Sequence, residues 1–145
     1  MFRYRPVPVT IRLSEGQPMG ELVRLVAAAA RAKAPIAISS ALPIPAALMA
    51  AFTGPLPPVK VLSVKVETDE HFLASGVSTA RVRIAGPGAF ALAEAVNGDP
   101  DVAIYSGDVT VAGRVELLPF LHEQAVSVTA HRFGNPDPAM EALAL

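Results

Sequence analysis

The 145 residues hold 12 Lys and Arg against 13 Asp and Glu, a formal net charge of -1, with 52% hydrophobic residues and no Cys. That length and composition fit one domain with a substantial core and exclude a disordered chain. The balanced charge excludes the broad basic footprint of a nucleic-acid binder, and the lack of Cys excludes disulfides, thiolate metal sites and thiol nucleophiles. Residues 1–10 have no apolar run of the secretory-signal type. The most apolar stretch, 22–30, is interrupted by Arg24 and followed by Arg31, well short of the roughly 20 apolar residues of a membrane span. A soluble cytoplasmic protein with no membrane span and no nucleic-acid partner is expected.

In chain order, Pro6 and Pro8 remove backbone donors, so 2–7 reads as a lead-in or edge strand and 9–13 as the first full strand. An opening with so little local core looks continued from upstream. Residues 14–20 form a loop, and 21–33 a helix with Leu22, Val23, Leu25, Val26 and Ala29 on its apolar side. The short apolar run 35–40 has the character of a strand buried on both faces of a parallel sheet. Residues 43–51 read as a short helix, and the prolines of 53–58 as a hard stop. Residues 59–67 form a strand with one face open to solvent, and 69–74 a helical turn capped by Thr68.

Residues 80–85 form a strand, Gly86-Pro87-Gly88 a turn, and 89–96 a helix closed by Asn97 and Gly98. A buried-type strand follows at 101–105, a turn at 106–108 and a connection at 109–113. An amphipathic helix is then expected, with Val115, Leu117, Leu118 and Leu121 apolar and Glu116, His122 and Glu123 polar. It runs into an alternating strand at 126–129, and Asn135 to Pro138 ends regular structure. The succession predicts an α/β, Rossmann-like three-layer sandwich with a mostly parallel sheet and an extended C-terminal tail. A single domain spans 1–145, its last strand and tail at 126–145.

The strand-to-helix turn at Gly86 and Gly88 has the context for amides that hold a phosphate, and Ala91 fills the third position of a dinucleotide fingerprint. Pro87 between the glycines and the placement of Asp101 at a strand start weaken that reading. His71, His122 and His131 show no metal-ligand spacing, even with Glu123 and Asp137 as further ligands. Ser127 and Thr129 lack a nucleophile elbow. Glu116 and Glu123 fall on one face of the expected helix, where solvation is commoner than acid/base chemistry. Arg3, Arg5, Arg81 and Arg83 read as strand-edge or outward-facing charges.

The order of strand 80–85, helix, strand 101–105 and the stretch 114–129 resembles the C-terminal domain of proline utilization A, the bifunctional proline-catabolic flavoenzymes. The residues that carry the resemblance are Leu117-Leu118, Glu123, Ala125 through Thr129 and Gly134-Asn135, with Phe2 to Pro6 similar to the junction after the aldehyde dehydrogenase module. Thr129 stands where that family usually has Asn, and His131-Arg132-Phe133 replaces a small-residue tail. The resemblance implies a parent enzyme joining an FAD-dependent proline dehydrogenase to an NAD-dependent L-glutamate-γ-semialdehyde (Δ1-pyrroline-5-carboxylate) dehydrogenase through an internal tunnel. It implies a chain that is non-catalytic and binds no cofactor itself. Ser127, Thr129, His131, Arg132, Phe133, Gly134 and Asn135 would form a lid against the aldehyde dehydrogenase module. Two alternatives stand beside it: a free-standing Rossmann-like protein binding a nucleotide or small ligand at Gly86 and Gly88, and an oligomerisation module forming a homo-oligomer.

Overall fold

Val9–Leu13 (β2) is the centre of the molecule, because Val9, Ile11 and Leu13 point to one face of a sheet, Thr10 and Arg12 to the other, and all five residues are buried. In this computed structural model, which describes residues 2–55, 57–127, 131–132 and 135–136, the last four by backbone alone, β2 is flanked by Ile36–Ser40 (β3) and Arg81–Ala85 (β5). Val61–Val66 (β4) and Ala103–Tyr105 (β6) form the edges, giving the order β4-β3-β2-β5-β6 with every neighbouring pair parallel. Parallel pairs require crossovers, and Met19–Ala32 (α1), Ala46–Thr53 (α2), Asp69–Ser75 (α3) and Ala89–Ala95 (α4) supply them.

The helices divide between the two faces. On one face Leu22, Leu25, Val26 and Ala29 of α1 and Phe52 of α2 pack with Val9, Ile11 and Leu13. On the other, Phe72 of α3 and Leu92 of α4 pack with Val82 and Ile84. The result is the three-layer, Rossmann-like α/β sandwich that the alternation of elements predicts. Full burial of a Leu such as Leu25 is worth about 1.5–3 kcal/mol, so the α1 face is the main source of cohesion. Among the described residues no helix is long and apolar enough to cross a membrane.

Local signals explain the boundaries. Helix α1 ends at Lys33, in the left-handed conformation at φ 57°, whose N–H bonds to the Ala30 carbonyl. Thr68 caps α3 through a 3.1 Å bond from the His71 N–H. Asn97 and Gly98 leave α4 at positive φ, as their residue types favour. The strand β6 is half-exposed at the sheet edge, in contrast to the buried strand expected at 101–105.

Beyond β6 the chain departs from the expected helix. One helical turn, Gly113–Glu116 (α5), is followed by a 3-10 turn at Leu118–Phe120 and then by a strand, Leu121–Ala125 (β7). Pro119 has no N–H to give and its ring opposes the carbonyl four residues back, which stops the helix. The lead-in strand Phe2–Pro6 (β1) does not join the central sheet. It pairs antiparallel with β7, setting Phe2 opposite Ala125, Tyr4 opposite Glu123 and Pro6 opposite Leu121. His122 and Glu123 are therefore strand residues, and Glu116 and Glu123 do not share a helix face. Val126 and Ser127 lie beyond the last residue of β7. A small antiparallel pair, His131–Arg132 (β8) with Asn135–Pro136 (β9), completes the described chain.

Candidate functional site

In a sheet of this order ligands sit at the carboxyl ends of the strands where the chain reverses direction, here between β2 and β5. A cleft of about 220 Å³ lies there, walled by Arg12, Ser14, Asp69, Phe72, Ile84 and Pro87. The charge inside it is already matched. Arg12, 1% exposed, donates to Asp69 Oδ1 from Nη2 at 2.7 Å and from Nε at 3.2 Å. It also donates to Ser39 Oγ at 2.7 Å and twice to the Glu67 carbonyl at 3.1 Å, with Phe72 beneath the guanidinium at 4.9 Å. These bonds account for all five donors of an arginine.

Three amides of the loop after β2, where such folds hold a pyrophosphate, bond within the chain. The Glu15 N–H donates to Asp69 Oδ2 at 3.2 Å, the Ser14 N–H to the Ala85 carbonyl at 3.0 Å and the Gln17 N–H to the Ser14 carbonyl at 3.3 Å. The Asp69 carboxylate thus takes the Glu15 amide as well as the Arg12 guanidinium. At the facing turn Gly86 and Gly88 adopt φ of 107° and 114°, and Ser14 Oγ donates to the Pro87 carbonyl at 2.8 Å. The Gln17 side chain packs under Gly86 so closely that a methyl group there would meet its Cγ at 2.6 Å. Arg12 and the Ser14, Glu15 and Gln17 amides of this crevice therefore already have partners within the chain.

The second buried guanidinium lies on the α1 face. Arg83 donates to both Glu116 oxygens, at 3.2 Å and 3.1 Å, and to the carbonyls of Ile84, Gly107 and Asp108. Its expected outward position is overturned: a charge at this inward register is tolerated because Glu116 comes down from α5 to meet it. The Thr110 N–H adds a third bond to Glu116 at 2.7 Å. Arg81 also turns inward, donating to the carbonyls of Pro119 and Leu121 at 3.0 and 2.8 Å. With Phe120 fully buried, these bonds fasten the base of the β1–β7 ribbon to the central sheet. Arg3 does face solvent, donating to Gln124 Oε1 at 2.7 Å, and the side chains of β1 are all exposed.

Of the residues expected in a lid, Ser127 is exposed just past the ribbon. His131 and Arg132 lie in β8 opposite Pro136 and Asn135 of β9. Thr129, Phe133 and Gly134 lie outside the described residues. His71 stands 3.8 Å from the Glu67 carboxylate, whereas His122 lies opposite Arg5 in the ribbon. Among the described residues no three His, Asp or Glu side chains form a metal-holding group. Arg12 was not singled out by sequence reasoning. Its signal was a cation in the middle of an apolar strand, which has to find a partner once both faces are covered.

No protein-family model, curated protein or solved structure matches the chain.

Proposed function

We propose that this domain is a non-catalytic structural part of a bifunctional proline-to-glutamate enzyme of the cytoplasm, docking on its aldehyde dehydrogenase module and helping to seal the channel between the two active sites. FAD and NAD belong, in this reading, to the other modules. The observation that carries it is the ribbon. Phe2 and Tyr4 stand 71% and 63% exposed on β1 beside Pro6, with Ala125 opposite Phe2, Leu121 opposite Pro6 and the Glu123 carboxylate opposite Tyr4. An exposed row of aromatic and apolar side chains on a well-anchored strand pair is the form of a docking element. It is also continuous with the segment that resembles the proline-catabolic family, and Ser127 follows it directly, so docking the ribbon would bring the tail to the same partner. The fully bonded guanidinium of Arg12 in the crevice favours a structural role over ligand chemistry.

The test is deletion of residues 131–145 from the enzyme that carries this domain. Coupled proline-to-glutamate flux should fall while both half-reactions persist, and the intermediate should appear in solution. Unchanged flux with no released intermediate overturns the reading. Saturable binding of NAD to the chain of residues 1–145 alone would favour a free-standing nucleotide-binding protein instead.

A further inference from the structure

The outward side of α1 carries a feature that neither the crevice nor the ribbon uses. Arg24, Ala27, Ala28 and Arg31 recur at the spacing of one helix face, so the two arginines stand two turns and about 10 Å apart with small residues between them. Facing them across a groove of about 530 Å³ are Val111 and Arg114. The apolar surface continues along the same segment, with Val111 86% and Leu118 63% exposed. Arg24, Arg31 and Arg114 form no ion pair or side-chain hydrogen bond with any described residue. Glu116, the carboxylate that lines the groove, is committed to Arg83 and Thr110. A chain of net charge -1 thus concentrates three guanidiniums, unmatched among the described residues, around an apolar floor.

We propose that this groove is a docking site for an acidic amphipathic helix of another polypeptide, an inference that does not rest on the proline-catabolic reading. Carboxylates seven residues apart on such a helix reach Arg24 and Arg31, each of which presents the planar fork that binds a carboxylate through two bonds. Its apolar side lies on Ala27, Ala28 and Val111, where small side chains let helix axes approach to about 8–10 Å. Arg114 closes the third side. The long aliphatic side chain that lines the groove, Leu117, is half-buried in its wall rather than projecting to insert between lipids, so a protein helix fits this cleft better than an anionic membrane surface.

The probe is a synthetic alanine-rich helical peptide with two glutamates seven positions apart beside leucines, labelled for fluorescence anisotropy and titrated with the chain of residues 1–145. Saturable binding is expected, weakened by salt and at least about tenfold weaker for Arg24→Glu/Arg31→Glu. Arg24→Lys/Arg31→Lys should fall in between, because lysine keeps the charge and loses the fork. All three arginines are exposed, so the variants should keep the circular dichroism and melting temperature of the parent; should the double reversal fail to fold, Arg24→Gln/Arg31→Gln replaces it. Absence of binding, equal binding by the reversed variant, or equal binding of a peptide with Lys in place of Glu overturns the proposal. So does displacement of the peptide by vesicles of acidic phospholipid at lower concentration than the peptide itself needs, which would assign the groove to a membrane.

Discussion

Arg83 and Glu116 meet through two hydrogen bonds of 3.1 and 3.2 Å with both side chains only 5% exposed, and this pair joins the central sheet to the segment that leads into the ribbon. Its value lies in matching rather than in net attraction. Two charges withdrawn from water barely repay their desolvation, but either one left alone in the same place is strongly unfavourable.

Glu116→Ala should therefore destabilise the chain by about 3–5 kcal/mol, as urea denaturation would measure it. The double variant Arg83→Met/Glu116→Leu should recover much of that loss, because no uncompensated charge remains. A loss below about 0.5 kcal/mol in the single variant, the range of ordinary surface changes, would show that the pair does not join the two segments.

The Arg12–Asp69 pair has the same chemistry in a different setting, since Asp69 is 40% exposed. Water can replace its carboxylate, and Arg12 keeps Ser39, the Glu67 carbonyl and the Phe72 ring. Asp69→Ala should lose about 1–3 kcal/mol, less than Glu116→Ala under the same denaturation. The reverse order would mean that solvent does not reach the Arg12 site.

What the sequence made legible follows from where local and tertiary signals agree. The strands from Val9 to Ala85 and helices α1, α3 and α4 could be read because apolar runs, the Thr68 cap and the Asn97-Gly98 exit each state locally what packing later uses. The stretch from 115 to 125 could not. Its apolar spacing is helical, and the decisive facts are Pro119 and a partner strand more than a hundred residues away at Phe2–Pro6. The inward turn of Arg83 was hidden for the same reason, because its partner Glu116 is remote in sequence and looked like one of two carboxylates on a helix surface. In the lid segment Ser127 and the β8–β9 pair are described, and Thr129, Phe133 and Gly134 are not.

The two glycines of the turn after β5 should respond unequally to substitution. Both adopt a positive φ that an L side chain rarely takes, which by itself costs about 1–3 kcal/mol. At Gly88 a methyl group meets nothing within 4 Å, whereas at Gly86 it runs into Gln17. Gly86→Ala should lower the melting temperature more than Gly88→Ala, and adding Gln17→Ala should narrow the gap. Equal losses that Gln17→Ala leaves unchanged would remove Gln17 from the account.

The ribbon separates stability from function. Phe2 and Tyr4 bury little within this chain, so Phe2→Ser/Tyr4→Ser should change its unfolding free energy by no more than about 1 kcal/mol, the scale of cross-strand pairs. In the enzyme that carries the domain the same double substitution should release the intermediate and lower coupled flux, because the apolar row would no longer seat against its partner. Retained coupling would show that docking does not use this face of the ribbon. A large loss of stability in the chain alone would show that these side chains pack within the domain rather than against another module. The informative combination is an unchanged denaturation curve with impaired coupling, since a general folding defect would move both.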